Sequence, residues 1–468
     1  HPTLAAFSAH VETCLPADPG APIESIRRVS RDETLPLSFA QERFWFLDQL
    51  SSGSSINNIP VALRLVGALD VEALRRSLDE IIQRHEILRA CFALRNGRPS
   101  HIIVPQLILA LDIEDLRTSV EPDREAQILR LAGEEACRPF DLANGPLIRG
   151  CLFRLDDMNH VLSLTLHHIV ADGWSMDVLR RELASLYEAF KDGRPSPLPA
   201  LPIQYVDLIA AQRERPKGAA DRRLLEYWAN QLEGAPPLLN LPWDYPRPAI
   251  QGHRGARHPW TLEPELARRL YEVGARYRAT PFMLLVSALG LLVSRYSRQT
   301  DFCIGTPVAN RAGREAEQLV GCFVNTVVLR MDVSGNPSLP ALLDRVRVMV
   351  LGAQSHQDLS FERLVDELGV VRALGHTPLF QVMFVLEDSP SDVRRFADLE
   401  ASRLNVGTGT SVFDLTLEMA QKTDGSLDAV FEYSTDLFAA DTIARMAGHL
   451  QALLRQIVAS PEALVSEL

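Results

Sequence analysis

Cysteine is scarce in this chain, and its distribution argues against a disulfide framework. Six cysteines are spread over 468 residues, and no two of them form a Cys-x-x-Cys pair. Small secreted domains that depend on disulfides use closely spaced cysteines, so a reduced, cytoplasmic setting is expected here. The absence of a recognisable signal peptide agrees with that expectation.

Long apolar runs and an excess of basic residues are also lacking. No stretch is long and apolar enough to span a membrane, so no membrane association is expected. The 48 Lys and Arg residues against 60 Asp and Glu residues leave a formal net charge of −12. Nucleic-acid surfaces are basic, and no basic run is interleaved with aromatic residues here, so nucleic acid is excluded as a partner. The length suffices for two or three domain-sized cores.

What the chain does contain is a group of polar residues at the end of an apolar strand pattern, Leu166-His167-His168-Ile169-Val170-Ala171-Asp172-Gly173-Trp174-Ser175. Residues 161–166 alternate between apolar and polar, which is the period of a half-buried strand. After the group, apolar residues recur at helical spacing: Leu179, Leu183, Leu186 and Phe190. Ser175 is the predicted N-cap and Gly193 the predicted stop. The group is therefore predicted to form a strand-to-helix loop.

The residue types in this loop suit acyl-transfer chemistry. A histidine can take a proton from a nucleophile near neutral pH, or hold it by a hydrogen bond. Because adjacent residues of a strand face opposite sides, one of His167 and His168 should face the reaction space and the other should pack against the scaffold. Asp172 needs a cationic partner, and Gly173 would allow a tight turn and close approach to a ligand.

Two other interpretations of the histidine pair are open from these residues alone. A pair of packed core histidines is the simpler one. Metal binding is disfavoured, because the two side chains diverge and no third ligand stands at a recognised zinc spacing.

The loop resembles the His-His-x-x-x-Asp-Gly signature of the condensation domains of nonribosomal peptide synthetases. Further stretches are similar to that family's other motifs and follow in the family's order. They are Ser38-Phe39-Ala40-Gln41-Glu42-Arg43-Phe44-Trp45, Arg84-His85-Glu86-Ile87-Leu88-Arg89, Tyr205-Val206-Asp207, Gly305-Thr306-Pro307-Val308-Ala309-Asn310-Arg311, Val320-Gly321-Cys322-Phe323-Val324-Asn325-Thr326 and His356-Gln357-Asp358-Leu359-Ser360-Phe361-Glu362. Leu208-Ile209 and most of residues 372–380 depart from the family pattern, which leaves the carrier-facing surface and the subtype undetermined.

The resemblance implies an α/β fold of two chloramphenicol-acetyltransferase-like lobes, each a mixed sheet flanked by helices, with a tunnel between them. Residues 1–33 would be the end of an upstream carrier domain and a linker, since residues 1–7 resemble the last helix of a carrier. Residues 34–203 would form the N-terminal lobe with the histidine motif, and residues 204–468 the C-terminal lobe. The proline-rich residues 194–202 predict a stiff connector at that boundary. One large α/β domain with a proline-rich surface loop is the alternative.

The second half has its own alternation of elements. Residues 280–296 are mostly apolar and predict a buried helix, while residues 324–333 are rich in β-branched residues and predict a strand. Asp424-Gly425 between two alternating segments predicts a hairpin.

The reaction implied by the resemblance is amide formation. The amine of an aminoacyl thioester on a downstream carrier would attack the acyl or peptidyl thioester on an upstream carrier. The implied site consists of catalytic His168, the supporting residues His167, Asp172, Gly173 and Arg311, and the possible tunnel or substrate contacts Trp174, Ser175 and Asn325. Arg311 is expected to form a salt bridge with Asp172, and the Gly173 N–H is a candidate oxyanion donor. No metal is expected.

No cofactor is expected to be bound by this chain, because it has no carrier motif with a serine for phosphopantetheine. The phosphopantetheine arms would arrive on upstream and downstream carrier domains, next to an adenylation domain of the same synthetase, and the excised domain would be monomeric. The alternatives are a non-catalytic docking platform for carriers or a tailoring enzyme, an epimerisation-type relative, and an acyltransferase that uses coenzyme A. The intact histidine pair argues against a pure platform, and residues 174–176 and 323–326 favour condensation over epimerisation.

Overall fold

The computed structural model of the protein describes residues 26–50, 53–117, 123–214, 218–311, 313–387 and 394–468. The carrier-like residues 1–7 and most of the predicted linker lie outside the described residues. The end of that linker is described, and it is anchored to the rest of the chain: Arg31 contacts the buried carboxylate of Asp207 at 2.6 Å and the carboxylate of Glu86 at 2.7 Å.

The helices and strands alternate along the whole described chain. In the first half they are β1 (Leu35–Pro36), α1 (Phe39–Leu50), β2 (Asn58–Val66), α2 (Val71–Arg84), a 3-10 turn (Glu86–Arg89), β3 (Ala90–Arg95), β4 (Arg98–Ile103), β5 (Leu111–Asp115), α3 (Asp123–Ala136), β6 (Ile148–Arg154), β7 (Asn159–His167) and α4 (Gly173–Lys191). In the second half they are α5 (Tyr205–Glu214), α6 (Ala219–Leu232), β8 (Gly255–Leu262), α7 (Pro264–Arg276), α8 (Pro281–Ser297), β9 (Asp301–Val308), α9 (Arg314–Glu317), β10 (Asn325–Asp332), α10 (Leu339–Ser355), α11 (Phe361–Glu367), β11 (Val382–Glu387), β12 (Arg394–Phe396), β13 (Leu399–Leu404), β14 (Leu415–Gln421), β15 (Leu427–Ser434) and α12 (Ala440–Ala459).

Two six-stranded mixed sheets form the centres of two lobes. Their strand orders are β12-β13-β2-β7-β6-β5 and β10-β9-β11-β14-β15-β8, and a three-stranded sheet, β1-β4-β3, accompanies the first. Strands β5 and β6 run parallel, as do β11 and β14, while most other neighbours are antiparallel. Two mixed sheets flanked by helices are the α/β architecture predicted from the sequence.

The chain passes between the lobes more than once. Strand β13 from the second half pairs antiparallel with β2, so that Ala401 lies opposite Leu65. Helix α5 also contributes buried side chains, including Tyr205 and Ile209, to the core of the first lobe. The predicted boundary after residue 203 stays a prediction, but these contacts show that residues beyond it complete the first lobe.

Several local predictions are confirmed. Helix α8 starts after the N-cap Thr280 and is buried from Met283 to Val293. Strands β14 and β15 form the predicted hairpin, with Leu415 opposite Tyr433 and with Gly425 at a φ of 84° in the turn.

Within the described ranges, no single helix has the length and apolar composition needed to cross a membrane. Helices α7 and α8 reach that measure only as a pair, and the pair bends by 101° at its break.

Candidate active site at the junction of the lobes

The histidine motif occupies the loop between β7 and α4, as predicted, but the helix begins earlier than expected. Asp172 is the N-cap, and its side chain accepts a hydrogen bond of 2.8 Å from the Ser175 N–H. The predicted N-cap Ser175 is therefore wrong, because a carboxylate three residues before it caps the helix instead. The predicted helix end is close to the observed one: the helix runs to Lys191, and Gly193 follows at a φ of 68°.

Gly173 does not make the tight turn that was predicted. It is the first helical residue, its φ lies outside the left-handed region, and a Cβ added there would meet no atom within 4 Å. The backbone therefore does not require glycine at this position. What the missing side chain leaves is open space beside the first N–H of α4.

A buried ion pair joins the histidine loop to the second half of the chain. The Arg311 guanidinium donates to Asp172 Oδ1 at 2.8 Å, and both side chains are 2% exposed. The salt bridge predicted from the resemblance is thus present. The other carboxylate oxygen, Oδ2, accepts the Phe323 N–H at 3.0 Å, so Asp172 contacts two separate segments of the second half.

Arg311 is itself fixed by its surroundings. Its second terminal nitrogen donates to the Ala316 and Leu319 carbonyls at 2.7 and 2.6 Å, and its guanidinium lies 4.0 Å from the centre of the Phe323 ring. Burial lowers the pKa of Arg311, and the charge of Asp172 opposes that shift. An arginine remains charged under such conditions, so its role here is to anchor the loop.

Ser175 is part of this cluster and is enclosed by it. Its side chain is fully buried, and its hydroxyl lies 2.6 Å from Asp172 Oδ1, 3.0 Å from the Arg311 guanidinium and 3.1 Å from the Gly321 nitrogen. The predicted substrate contact of Ser175 is corrected by this position, because the hydroxyl is enclosed among the groups that join the two halves.

Asn325 also has a structural position. It is 6% exposed, its amide donates to the Gln357 and Leu359 carbonyls at 2.7 and 2.8 Å, and its oxygen accepts the Phe361 N–H at 3.0 Å. These bonds fix the turn before α11, which differs from the predicted substrate contact.

Trp174 alone of the three predicted contacts is substantially exposed, at 41%. Its indole N–H donates to the Glu317 carbonyl at 3.0 Å. A substrate contact at the face of this ring stays a prediction.

His167 packs into the scaffold. Its Nδ1 accepts the Ile169 N–H at 3.1 Å, and Phe44 and Phe140 meet its ring edge-on. Burial lowers its pKa to about 3, with a smaller contribution from His168. This is the satisfied, neutral histidine that was expected for one member of the pair.

His168 has a different environment. Its side chain is half-buried, its ring stacks on Phe44 with centroids 5.0 Å apart and planes at 23°, and its Nδ1 has no hydrogen-bond partner among the described residues. Burial lowers the pKa of His168, the Asp172 charge and the carbonyls of His168 and Ala171 oppose that shift, and the charge of Arg43 adds to it. The ring is therefore neutral at pH 7 and can accept a proton or a hydrogen bond.

Helix α1 contacts the histidine loop and holds it in place. Ser38 and Gln41 form a reciprocal capping box, with hydrogen bonds of 3.1 and 3.0 Å. The Gln41 amide then donates to the Ile169 carbonyl at 2.8 Å. The first family motif thus positions the histidine loop; its role was not foreseen residue by residue, although Ser-x-x-Gln is a readable helix-start signal.

The remaining motifs supply further anchors. His85 Nε2 lies 2.8 Å from the Glu182 carboxylate, and its Nδ1 lies 3.4 Å from the Val320 nitrogen. The hydroxyl of Tyr205 donates to the Cys322 carbonyl at 2.8 Å. In the part of the chain that the structure describes, no group of three or more His, Cys, Asp and Glu side chains could hold a metal ion.

The geometry described above has a family context. Residues 31–468 match the family model "Condensation domain". The chain belongs to the condensation-domain family. This condensation domain is 46% identical over 463 residues to a linear gramicidin synthase protein of Brevibacillus parabrevis, a match that covers 98% of this chain and 6% of that protein. It spans 6 to 9% of the length of the linear gramicidin synthase proteins that it matches.

Solved structures show the same fold. The complex of the X-domain and OxyB from teicoplanin biosynthesis contains a chain with a TM-score of 0.83 and 30% identity, with coverage of 96% of this domain and 98% of that chain. The first condensation domain of the calcium-dependent antibiotic synthetase, in complex with a substrate analogue, has a TM-score of 0.80 at 21% identity, covering 93% and 99%, and shows the fold alone. The predicted chloramphenicol-acetyltransferase-like fold class is confirmed.

Proposed function

We propose that this condensation domain forms an amide bond between two carrier-bound thioesters. The amine of a downstream aminoacyl thioester attacks the carbonyl carbon of an upstream acyl or peptidyl thioester. The new C–N bond forms, the C–S bond breaks, and the proton lost by the amine ends on the released thiol. The upstream chain is thereby transferred to the downstream carrier.

The observation that carries this proposal is the contrast between His168 and the rest of its motif. Asp172 and Ser175 use their polar side-chain atoms in contacts within the protein, and Nδ1 of His167 accepts the Ile169 N–H. His168 has a buried Nδ1 without a partner among the described residues, on a half-buried ring in its neutral form. A neutral imidazole that the fold does not use is suited to bind the attacking amine or the tetrahedral intermediate.

His168 need not be a strong base in this reaction. Thioester aminolysis is favourable, and holding two tethered reactants in near-attack geometry can supply about 7–11 kcal/mol of barrier reduction. The lowered pKa of His168 agrees with hydrogen bonding to the ammonium-like nitrogen as the amide bond forms. A base strong enough to remove a proton from the substrate amine before attack would need a raised histidine pKa.

The first turn of α4 is the candidate oxyanion site. No acceptor for the Gly173 N–H is found among the described residues, and a Cβ at this position would project into open space. A helix N-terminus favours developing negative charge, so this N–H could stabilise the thioester oxygen in the tetrahedral intermediate. The absent side chain would then serve the approach of the substrate.

The partners follow from the same proposal. Upstream and downstream carrier domains would deliver phosphopantetheine thioesters through the tunnel that the resemblance implies between the lobes. An adenylation domain of the same synthetase would charge the downstream carrier. The phosphopantetheine arms are substrate components here, and the chain itself would bind no cofactor.

The test is a single-turnover reaction with separately loaded carriers. A short acyl or aminoacyl donor and an aminoacyl acceptor are placed on two carriers, and amide formation is followed by intact-protein mass spectrometry. We expect product with the unaltered chain and at least about 100-fold less with His168→Ala, the usual scale for a positioned proton-transfer group. Coenzyme A thioesters in place of the carriers serve as the second arm, and efficient turnover there would reveal a carrier-independent acyltransferase.

A docking platform is the second candidate, and one comparison favours it. The X-domain, 30% identical over 96% of this chain, was solved as a complex with OxyB. Binding of carriers without amide formation, and with no difference between the unaltered chain and His168→Ala, would support this candidate over condensation. An epimerisation-type activity would instead appear as inversion of the donor's α-carbon without any new amide.

A further inference from the structure

The orientation of the His168 ring requires an explanation, because no carboxylate holds it. The carbonyls of His168 and Ala171 are near enough to the ring to oppose the lowering of its pKa. Catalytic histidines are commonly oriented by a carboxylate or carbonyl on the second ring nitrogen. Here both oxygens of the neighbouring Asp172 are engaged by Ser175, Arg311 and Phe323. The buried Nδ1 of His168 has no partner among the described residues. The polar side chains of the motif therefore anchor the loop, and none of those described donates to or accepts from Nδ1 of the ring.

Phe44 makes the ring contact that the polar groups do not. Its ring lies face to face with that of His168, at 5.0 Å and 23°, and edge-on to His167, at 6.4 Å and 84°. Both geometries are ones that aromatic pairs favour. One side chain on α1 thus contacts both histidines, covering one in stacked and the other in edge-on geometry.

Helix α1 is rigidly placed relative to the loop, which makes that contact specific. Gln41, one turn earlier on the same helix, donates to the Ile169 carbonyl directly after His168. Arg43 of the same helix lies 3.6 Å from Glu362 of α11, so residues of both halves of the chain contact the helix. The Phe44 ring therefore lies within one helical turn of Gln41, the residue that joins helix α1 to the loop backbone.

We propose that Phe44 is a positioning residue for His168: its stacked ring fixes the orientation of the imidazole, a role that the Asp172 carboxylate does not perform. The inference rests on the proposed function for its catalytic consequence, but its structural content concerns the ring alone. Phe44 is not one of the residues of the His-His-x-x-x-Asp-Gly signature.

The charged groups around His168 set the direction of the pH effect. Asp172 at the start of α4 favours the imidazolium and Arg43 of α1 disfavours it. Arg43 also forms an ion pair with Glu362 of α11, at 3.6 Å. His167, the adjoining titratable group, is itself neutral because its pKa is lowered to about 3. Burial is the largest influence on His168, and Phe44 covers one face of its ring. Loss of the Phe44 ring should admit water and raise the pKa of His168 toward its ordinary value.

The experiment combines NMR of the whole chain with single-turnover kinetics. The protein is labelled with ¹³C at histidine Cε1, and the signal absent from His168→Gln identifies His168 among the twelve histidines. Phe44→Leu removes the ring and keeps an apolar side chain, Phe44→Tyr restores the ring, and Phe46→Leu is the matched control. Phe46 lies on the same helix, is 53% exposed and has no ring contact with either histidine.

In Phe44→Leu we expect the ring-current shift of the His168 signal to disappear and its titration midpoint to rise. We expect the amide-forming rate at saturating substrate to fall roughly 3- to 10-fold, the range set by the energy of an aromatic pair. Phe44→Tyr should restore both, and Phe46→Leu should leave the His168 signal and its titration unchanged.

Two results would overturn the inference. One is an unchanged His168 signal and titration in Phe44→Leu. The other is a lower rate that Phe44→Tyr does not rescue, since the ring would then not be the cause. The NMR measurement also separates this inference from the proposed function: shifted His168 signals in a chain that forms no amide would refute condensation and leave the positioning role intact.

Discussion

The ion pair between Asp172 and Arg311 gives the largest predicted effect on stability. In Asp172→Asn the side chain keeps its shape and loses its charge. Its carboxylate accepts hydrogen bonds from the Ser175 N–H and hydroxyl, from Arg311 and from the Phe323 N–H. An amide has one acceptor oxygen, so its NH₂ group must face at least one of these donors, and the buried guanidinium loses its counter-charge.

The expected cost is about 3–5 kcal/mol, the range for breaking a buried ion pair by removing one partner. One unsatisfied buried N–H alone costs about 1–3 kcal/mol. The rest comes from leaving Arg311 charged at 2% exposure. Because Asp172 bonds to residues of both halves, the loss should also loosen the contact between the histidine loop and the second half.

The assay is urea unfolding followed by tryptophan fluorescence, with the dependence on urea concentration checked for equality between variants. Asp398→Asn is the matched control, since Lys191 and Asp398 lie 2.6 Å apart but their side chains are 30% and 60% exposed. An exposed pair of this kind contributes at most about 1 kcal/mol. Equal losses for the two substitutions would refute the anchoring role of Asp172.

Three further predictions follow from other buried groups. Burial lowers the pKa of His101 to about 4, so between about pH 6.5 and pH 4 His101 is protonated in the unfolded chain and neutral in the folded one. The free energy of unfolding should therefore fall as the pH falls through that window. His101→Leu should reduce the slope of the urea-derived free energy against pH by about 1.4 kcal/mol per pH unit. An unchanged slope would show that His101 is not the group responsible. Gln41→Leu should cost about 1–3 kcal/mol in the same assay, because it leaves the loop carbonyl after the histidines without its donor; a cost below that of an exposed substitution would argue against this role. Gly321→Ala should destabilise by about 1–3 kcal/mol or more, since its Cβ would lie 2.1 Å from Tyr205 Cδ2, whereas Gly173→Ala should change stability by less than about 0.5 kcal/mol and lower the condensation rate. Equal thermal stability losses for the two alanine variants would show that a side chain at Gly173 does not enter open space.

The sequence revealed the elements that depend on local pattern. The alternation before His167 and the helical spacing after Ser175 located β7 and α4, and the apolar residues 280–296 located a buried helix. The Asp172–Arg311 pair came from the resemblance, since nothing local relates two residues so far apart in the chain.

What could not be predicted depends on long-range geometry. Strand β13 joins β2 across most of the chain, and a short strand carries no signal for so distant a partner. Ser175 and Asn325 lie in motifs, but the sequence does not say which motif residues are enclosed by the fold. The stacking of Phe44 on His168 was missed for the same reason, because it joins the motif at residues 38–45 to the histidine motif through space.

The central claim is that His168 serves the reaction and not the fold, and one paired measurement tests it most directly. The single-turnover rate of amide formation and the free energy of unfolding are measured for the unaltered chain and for His168→Gln. Because the buried Nδ1 of His168 has no hydrogen-bond partner among the described residues, we predict a rate reduced at least about 100-fold with a stability change below about 1 kcal/mol. An unchanged rate, or a rate that falls only together with a large loss of stability, would contradict the account.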